Sequence, residues 1–256
     1  MTASEELLFE RQGPIGLITF NRPQARNALT FAMYQRLADI CRDPGDAKVL
    51  VVTGAGEKAF AAGTDIGQFR DFKTDQDALD YEAQIDVVLS AVEECPVPTV
   101  AAIAGACTGG GAAIAAACDL RLATADLKFG FPIARTLGNC LSVANLARLC
   151  ALLGAGRVRE ILFTSRLVLA EEAMTAGLVS EVLADHAALM SRALALAEQL
   201  TEQAPLTLRA TKEGLRRLAR QDIEDEDLIL CCYGSADFRE GLEAFLAKRK
   251  PNWQGR

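Results

Sequence analysis

The chain has 256 residues, 50% of them apolar and 24% charged, and its 27 basic and 34 acidic side chains leave a net charge of −7. That size and balance describe a globular protein whose core is large enough to fold without disulfides or a structural metal. The acidic balance also speaks against a nucleic-acid partner, which would draw on basic surface.

The opening stretch MTASEELLFE lacks the basic and apolar regions of a secretory leader. No run reaches the roughly 18 uninterrupted apolar residues of a membrane span, so no membrane partner is expected. The cysteines at 41, 95, 107, 118, 140, 150, 231 and 232 include no C-x-x-C pair, and His186 is the single histidine. This is a poor donor set for zinc, and most of these thiols read as small core hydrophobes. A cytoplasmic location fits these features.

In chain order, Leu7–Arg11 and Ile15–Asn21 flank Gln12-Gly13-Pro14 as a hairpin. Thr30 caps a predicted helix to Arg42, with Phe31, Tyr34, Leu37, Ala38 and Cys41 on one face. Lys48–Thr53 is an apolar strand, 54–63 a loop with a second apolar patch, and 75–94 a helix ended by Pro96 and Pro98. Thr99–Ile103 is a buried strand, 105–111 a glycine-rich turn, and 111–118 a small-residue helix. Leu120–Ala123 and Leu127–Phe129 read as short strands. Beyond 142, helical patterns cover 142–151, 156–163, 171–176, 185–203, 206–219, 223–232 and 236–248. Strands alternating with helices, then helices alone, predict an α/β core followed by a helical C-terminal part.

Two glycine loops stand out, Lys58–Ile66 (KAFAAGTDI) and Ile103–Ala112 (IAGACTGGGA). Each lies between a predicted strand and a helix, where free backbone N–H groups meet the positive end of the helix dipole. Two such loops can aim two N–H groups at one oxygen, or each can be only a tight turn. Neither carries the spacing of a phosphate-binding or dinucleotide-binding loop, which argues against those ligands.

These residues resemble the crotonase superfamily, the enoyl-CoA hydratase/isomerase family. The resemblance runs through Asn21-Arg22-Pro23 with Asn27-Ala28-Leu29, FAAGTDI at 60–66, AGACTGGGAAIAAACDLRLA at 104–123, EEAMTAGLVSEV at 171–182, and Arg239-Glu240-Gly241 with AFLAKRKPN at 244–252. It implies a spiral of strand–strand–helix turns over 1–200 and a helical trimerisation region over 201–256. It further implies a homotrimer or hexamer, an acyl-CoA substrate whose CoA is part of the substrate, and no further cofactor or metal. The thioester oxygen would accept from the N–H groups of Thr64 and Gly110. Substrate contacts would fall at Ala25, Ala62, Asp65, Ile66, Gly109, Pro132, Ile133, Phe245 and Lys248, the last two at the CoA phosphate and adenine from a neighbouring subunit. For Lys248 the alternative is a solvated helix end.

The sequence departs from that pattern at two positions. Hydratases of the family carry glutamates three residues after the middle glycine and after the proline of F-G-x-P-E; here stand Ala113 and Ile133. The chain then reads as an acyl-CoA lyase or isomerase with weak hydration. Decarboxylation, thioester hydrolysis and non-catalytic acyl-CoA binding are the alternatives. The remaining polar residues cluster at 135–142. There Arg135 clamps a second substrate carboxylate or sits at the surface, and Cys140 is a nucleophile, an acid or a structural thiol. Asn139 and Ser142 each either cap the next helix or touch substrate. Asp65 reads as the cap of a short helix at Ile66, and His186 as a solvated or capping side chain.

Overall fold

A computed structural model describes residues 3–256; Met1 and Thr2, the start of the stretch read for a leader, lie outside it. A short helix α1 (Ala3–Glu6) precedes the expected hairpin, in which β1 (Leu7–Gln12) and β2 (Ile15–Phe20) pair antiparallel with Leu7 opposite Phe20. The Thr30 hydroxyl caps α2 (Phe31–Arg42) by accepting from Met33 N–H, and Tyr34, Leu37, Ala38 and Cys41 of the expected face are buried.

Three turns then repeat one pattern. β3 (Val49–Gly54) and β4 (Ala59–Ala61) lead to α3 (Asp75–Glu93), and β5 (Thr99–Ile103) and β6 (Ala106–Thr108) lead to α4 (Gly110–Ala117). In the third turn β7 (Leu120–Thr124) and β8 (Lys128–Gly130) lead to α5 (Val143–Thr164). There follow β9 (Val168–Leu169), α6 (Ala170–Thr175), β10 (Glu181–Leu183), α7 (His186–Thr201), α8 (Pro205–Ala219), α9 (Glu226–Tyr233) and α10 (Ala236–Leu246). The first strand of each turn joins a sheet ordered β1-β2-β3-β5-β7-β10, and the second joins a smaller sheet ordered β4-β6-β8-β9. Successive first strands run parallel, as do β4, β6 and β8, because a helical crossover returns the chain to the same end each time.

Burial on both faces explains the unbroken apolar run of β3. Leu50 and Val52 enter the main core with α2, α3 and α4, whereas Val49 and Val51 pack with Leu189, Ala193 and Ala197 on α7. Several expectations are corrected. The loop 54–63 and the turn 105–111 contain β4 and β6, three-residue strands too short to show a period. Strands β9 and β10 are equally short and were not expected. By contrast, the two helices expected over 142–151 and 156–163 are borne out as the two segments of α5, which meet at Gly154, whose φ of +75° is not helical. The last helices are tied to the core by Lys212 on α8, whose ammonium lies 2.8 Å from Asp119 Oδ2 and also donates to the carbonyls of Val92 and Val97.

Candidate active site

The first glycine loop is held by the N-terminal NRP/NAL segment. Asn27 is buried with φ +56°, a conformation that asparagine tolerates better than most residues. Its Nδ2 donates to Ala59 O at 2.7 Å and Ala55 O at 3.1 Å, while its Oδ1 accepts from Arg22 N–H at 3.0 Å. Leu29 N–H donates to Gly63 O and Asp65 N–H donates to Leu29 O, both at 2.8 Å. In such a parallel bridge the intervening residue, Thr64, directs its own N–H the opposite way. Its side chain is also fixed, with Oγ1 2.9 Å from the hydroxyl of Tyr34 and 2.9 Å from that of Tyr81.

Asp65 caps the short turn Ile66–Asp71, accepting from Gly67 N–H at 3.0 Å, as expected. Its other partner is Arg22, 2.9 Å away, and the guanidinium holds the Asp65 carboxyl below the usual carboxylate range.

The three glycines of the second loop are required for three different reasons. Gly109 has φ +54°, and its N–H donates to Gly130 O at 3.0 Å, fastening the loop to β8. A Cβ on Gly110 would overlap the Tyr34 hydroxyl and stand 3.3 Å from Thr64 Oγ1, so the two loops are in contact here. A Cβ on Gly111 would overlap the Ala61 carbonyl, which sets how closely α4 sits against β4. Gly110 is the first residue of α4, so its N–H has no acceptor within the helix. Among the described residues, neither the Thr64 nor the Gly110 amide donates to a backbone carbonyl outside helices and strands.

Both residues, Thr64 and Gly110, belong to the lining of one cavity of about 210 Å³. Ala113, Phe131, Ile133, Leu137, Leu141 and Ile85 make its wall largely apolar, and Thr136, Asn139 and Asn145 add polar groups. Tyr81 and Glu82 enter from α3, and among the described residues Glu82 is the one carboxyl in the lining. Glu82 is half-buried; burial, then the neighbouring Asp86, raises its pKa, while a hydrogen bond from Ser142 N–H opposes that shift. Burial likewise raises the phenols of Tyr34 and Tyr81.

Of the residues singled out in the sequence, the fold brings Ala62, Thr64, Ile66, Gly109, Gly110, Pro132, Ile133 and Asn139 to this cavity, with Ala113 beside them. Others lie outside its lining. Ala25 sits in a 3-10 turn, Asp65 faces Arg22, and Arg135 and Cys140 are exposed because the 135–142 segment turns part of its polar face outward. Phe245, on α10, is 82% exposed, and Lys248 follows that helix with φ +52°. Ser142, not Asn139, caps α5, accepting from Asn145 N–H. Asp185, not His186, caps α7, and His186 Nε2 is buried without a hydrogen-bond partner rather than solvated.

Sequence reasoning missed Tyr34 as a hydroxyl partner of the loop, and it missed Tyr81 and Glu82 altogether. One signal was available. Ile85, Val88, Leu89 and Val92 form the buried stripe of α3, and Tyr81 and Glu82 stand four and three residues before Ile85, where that stripe continues.

Residues 10–256 match the family model described as enoyl-CoA hydratase/isomerase. The chain is 31% identical to the short-chain-enoyl-CoA hydratase of Clostridium acetobutylicum over 252 residues, covering 95% of each chain. It is 34% identical to the carnitinyl-CoA dehydratase of Citrobacter koseri, covering 99% of this chain and 100% of that one. In three dimensions it is similar to the enoyl-CoA hydratase/carnithine racemase of Magnetospirillum magneticum, with a TM-score of 0.89 and 35% identity over 98% of this chain and 96% of that one. A family match over nearly the whole chain, with relatives of matching length and a coincident fold, makes this protein a member of the enoyl-CoA hydratase/isomerase, or crotonase, family.

Proposed function

We propose that the cavity binds an acyl-CoA thioester and stabilises its enolate, the thioester oxygen accepting from Thr64 N–H and Gly110 N–H. The observation that carries this reading is the pair of uncommitted amides in one largely apolar cavity. Removing one donor of such a pair typically costs about 2.7–4 kcal/mol of transition-state stabilisation, and the dipole of α4 adds to the same oxygen. The names of the relatives, a hydratase and a dehydratase of CoA thioesters, support the substrate class.

CoA arrives as part of the substrate, and no other cofactor is needed for an enolate. Phe245 and Lys248 are too exposed to act within their own subunit's cavity and meet the CoA phosphate and adenine across a homotrimer or hexamer interface. The exposed Ile223, Leu230, Tyr233 and Leu246 of the 201–256 region supply apolar surface for that assembly. The protein works in the cytoplasm.

Ala113 and Ile133 stand in the cavity where hydratases of the family carry glutamates. Each lost acid–base group is worth about 10²–10⁴ in rate, so crotonyl-CoA is hydrated far below an enzyme's ordinary 10–10³ per second, to within an order of magnitude. The test is a panel of acyl-CoA thioesters incubated with the protein in D₂O and read by mass spectrometry. Deuterium at the α-carbon is the expected result. Its absence from every thioester that binds would remove the enolate reading, and crotonyl-CoA hydration at an ordinary rate would remove the statement about the two apolar positions.

A further inference from the structure

A half-buried carboxylate is costly to keep charged unless something compensates it. On α3 the available cation has gone elsewhere. Arg148 of α5 binds Glu93 at 2.8 Å, reaches Asp86 at 3.5 Å, and donates to Asn145 and Ser90. Ser142 Oγ also donates to Asp86, at 2.9 Å. Among the described residues Glu82, one turn earlier, is in no ion pair, and the Ser142 amide is the donor that favours its charged form. Other carboxyls at packed positions are compensated, Asp65, Asp119, Glu172 and Glu213 by ion pairs and the buried Asp237 by the amides of Gln254 and Gly255. One neutral amide at the start of α5 compensates a half-buried charge only in part.

Glu82 lines the same cavity as Thr64 and Gly110. Its charge is felt by the phenols of Tyr81 and Tyr34, the two hydroxyls that clasp the Thr64 side chain. Ala113 and Ile133 offer no competing acid or base from the other walls.

We propose that Glu82 is the proton-transferring carboxyl of this site, acting from α3 in place of the groups missing at 113 and 133. The inference rests on the enolate reading above and deepens it. The Glu82 carboxylate takes a proton from carbon beside the thioester, and the C–H electron pair becomes the enolate, whose oxygen charge rests on the two amides. The same carboxylic acid then returns the proton to carbon, at the original position or at the far end of a conjugated dienolate. When the carboxylic acid swaps its proton with solvent before returning it, the net result is α-proton exchange; when it delivers the proton to the far end, the net result is a double-bond shift, and in both cases atoms and electrons balance. One carboxyl suffices for this chemistry, whereas adding water calls for a second group to orient it. The substrate class is therefore an unsaturated acyl-CoA whose double bond moves.

The test compares the full-length protein with its Glu82→Gln and Glu82→Asp variants. Deuterium exchange into acyl-CoA is read by mass spectrometry, binding of a non-exchangeable CoA thioether is read by calorimetry, and folding is checked by circular dichroism. The expected result is exchange in the parent, a loss of about 10²-fold or more in Glu82→Gln, partial recovery in Glu82→Asp, and thioether binding within about threefold. Exchange in Glu82→Gln within threefold of the parent overturns the assignment and leaves the enolate reading standing. Parallel loss of exchange and thioether binding makes Glu82 a binding group and overturns it equally. No exchange in the parent overturns both.

A pH profile of the parent needs no variant. The groups facing Glu82 are Tyr81 and Asp86 on α3, Tyr34 on α2 and, through Asp86, Arg148 on α5. Exchange should rise with pH through an inflection above the ordinary glutamate value of about 4.3, and a flat profile from pH 4.5 to 8 overturns the proposal.

Discussion

The hydroxyl of Tyr34 lies 2.9 Å from that of Thr64 and also fills the space a side chain at residue 110 would need. One buried phenol on α2 thus touches both glycine loops. The loops are joined directly by the β4–β6 pairing, with Ala106 N–H donating to Lys58 O at 3.0 Å, and Tyr34 adds a packing contact between Thr64 and Gly110.

That contact makes Gly110→Ala damaging in a way that can be repaired. Its methyl group meets the Tyr34 oxygen, so acyl-CoA turnover should fall by about 10²-fold or more, as for loss of an oxyanion donor. Removing the oxygen in Tyr34→Phe relieves the overlap, and the Gly110→Ala/Tyr34→Phe double variant should recover at least tenfold over Gly110→Ala. Double-mutant kinetics check this; strictly additive losses would show that Tyr34 does not set the position of Gly110.

Asn27 should behave as a structural brace. Asn27→Ala leaves the Ala55 and Ala59 carbonyls and the Arg22 amide without their partner and forces alanine to φ +56°. Denaturant unfolding should show a loss of roughly 1–3 kcal/mol, with turnover reduced further because the first loop loses its anchor. An unchanged midpoint would contradict this.

Lys212 anchors α8 to Asp119 at the end of α4. Lys212→Met keeps the aliphatic stem but loses the charge, leaving Asp119 with only Thr99 N–H and its hydroxyl. Stability should fall by roughly 1.5–3 kcal/mol, the range for hydrogen bonds to charged groups. Protease cleavage should begin in the 205–246 helices before the core, and cleavage that begins in the core would refute the anchoring role.

The Arg22–Asp65 pair gives a pH-dependent term with a definite sign. The folded Asp65 carboxyl is held below its ordinary value, first by the hydrogen bond from Arg22 and then by that from Gly67 N–H. Its contribution is therefore present above the unfolded value of about 3.9 and is lost as pH falls through the lower folded value. Asp65→Asn keeps an acceptor for Gly67 N–H but removes the charge. The variant should melt below the parent at pH 7, and the gap in Tm should narrow as pH falls below about 4. A gap of the same size at pH 7 and at pH 3 would mean that the charge is not its source.

The local code was sufficient for the long elements and for the backbone amides. Thr30 announces α2, KVLVVT announces a strand buried on both faces, and GGG before a small-residue run announces an exposed helix start. These signals are local because a cap, a period and a glycine act on their own neighbours. The strands β4, β6, β9 and β10 were not legible, since two or three residues hold no period and become strands only where a partner edge is offered. The same limit governs the side chains of the site. The polar cluster at 135–142 looks compact in sequence, yet of the three exposed residues Arg135, Asn139 and Cys140 only Asn139 lines the cavity. Tyr34, Thr64, Tyr81 and Glu82 come from α2, a loop and α3, with separations of up to 48 residues, and meet because three helices pack over one sheet. Chain-local chemistry decided which amides are free; only the packing of α2, α3 and α4 decided which carboxyl shares their cavity.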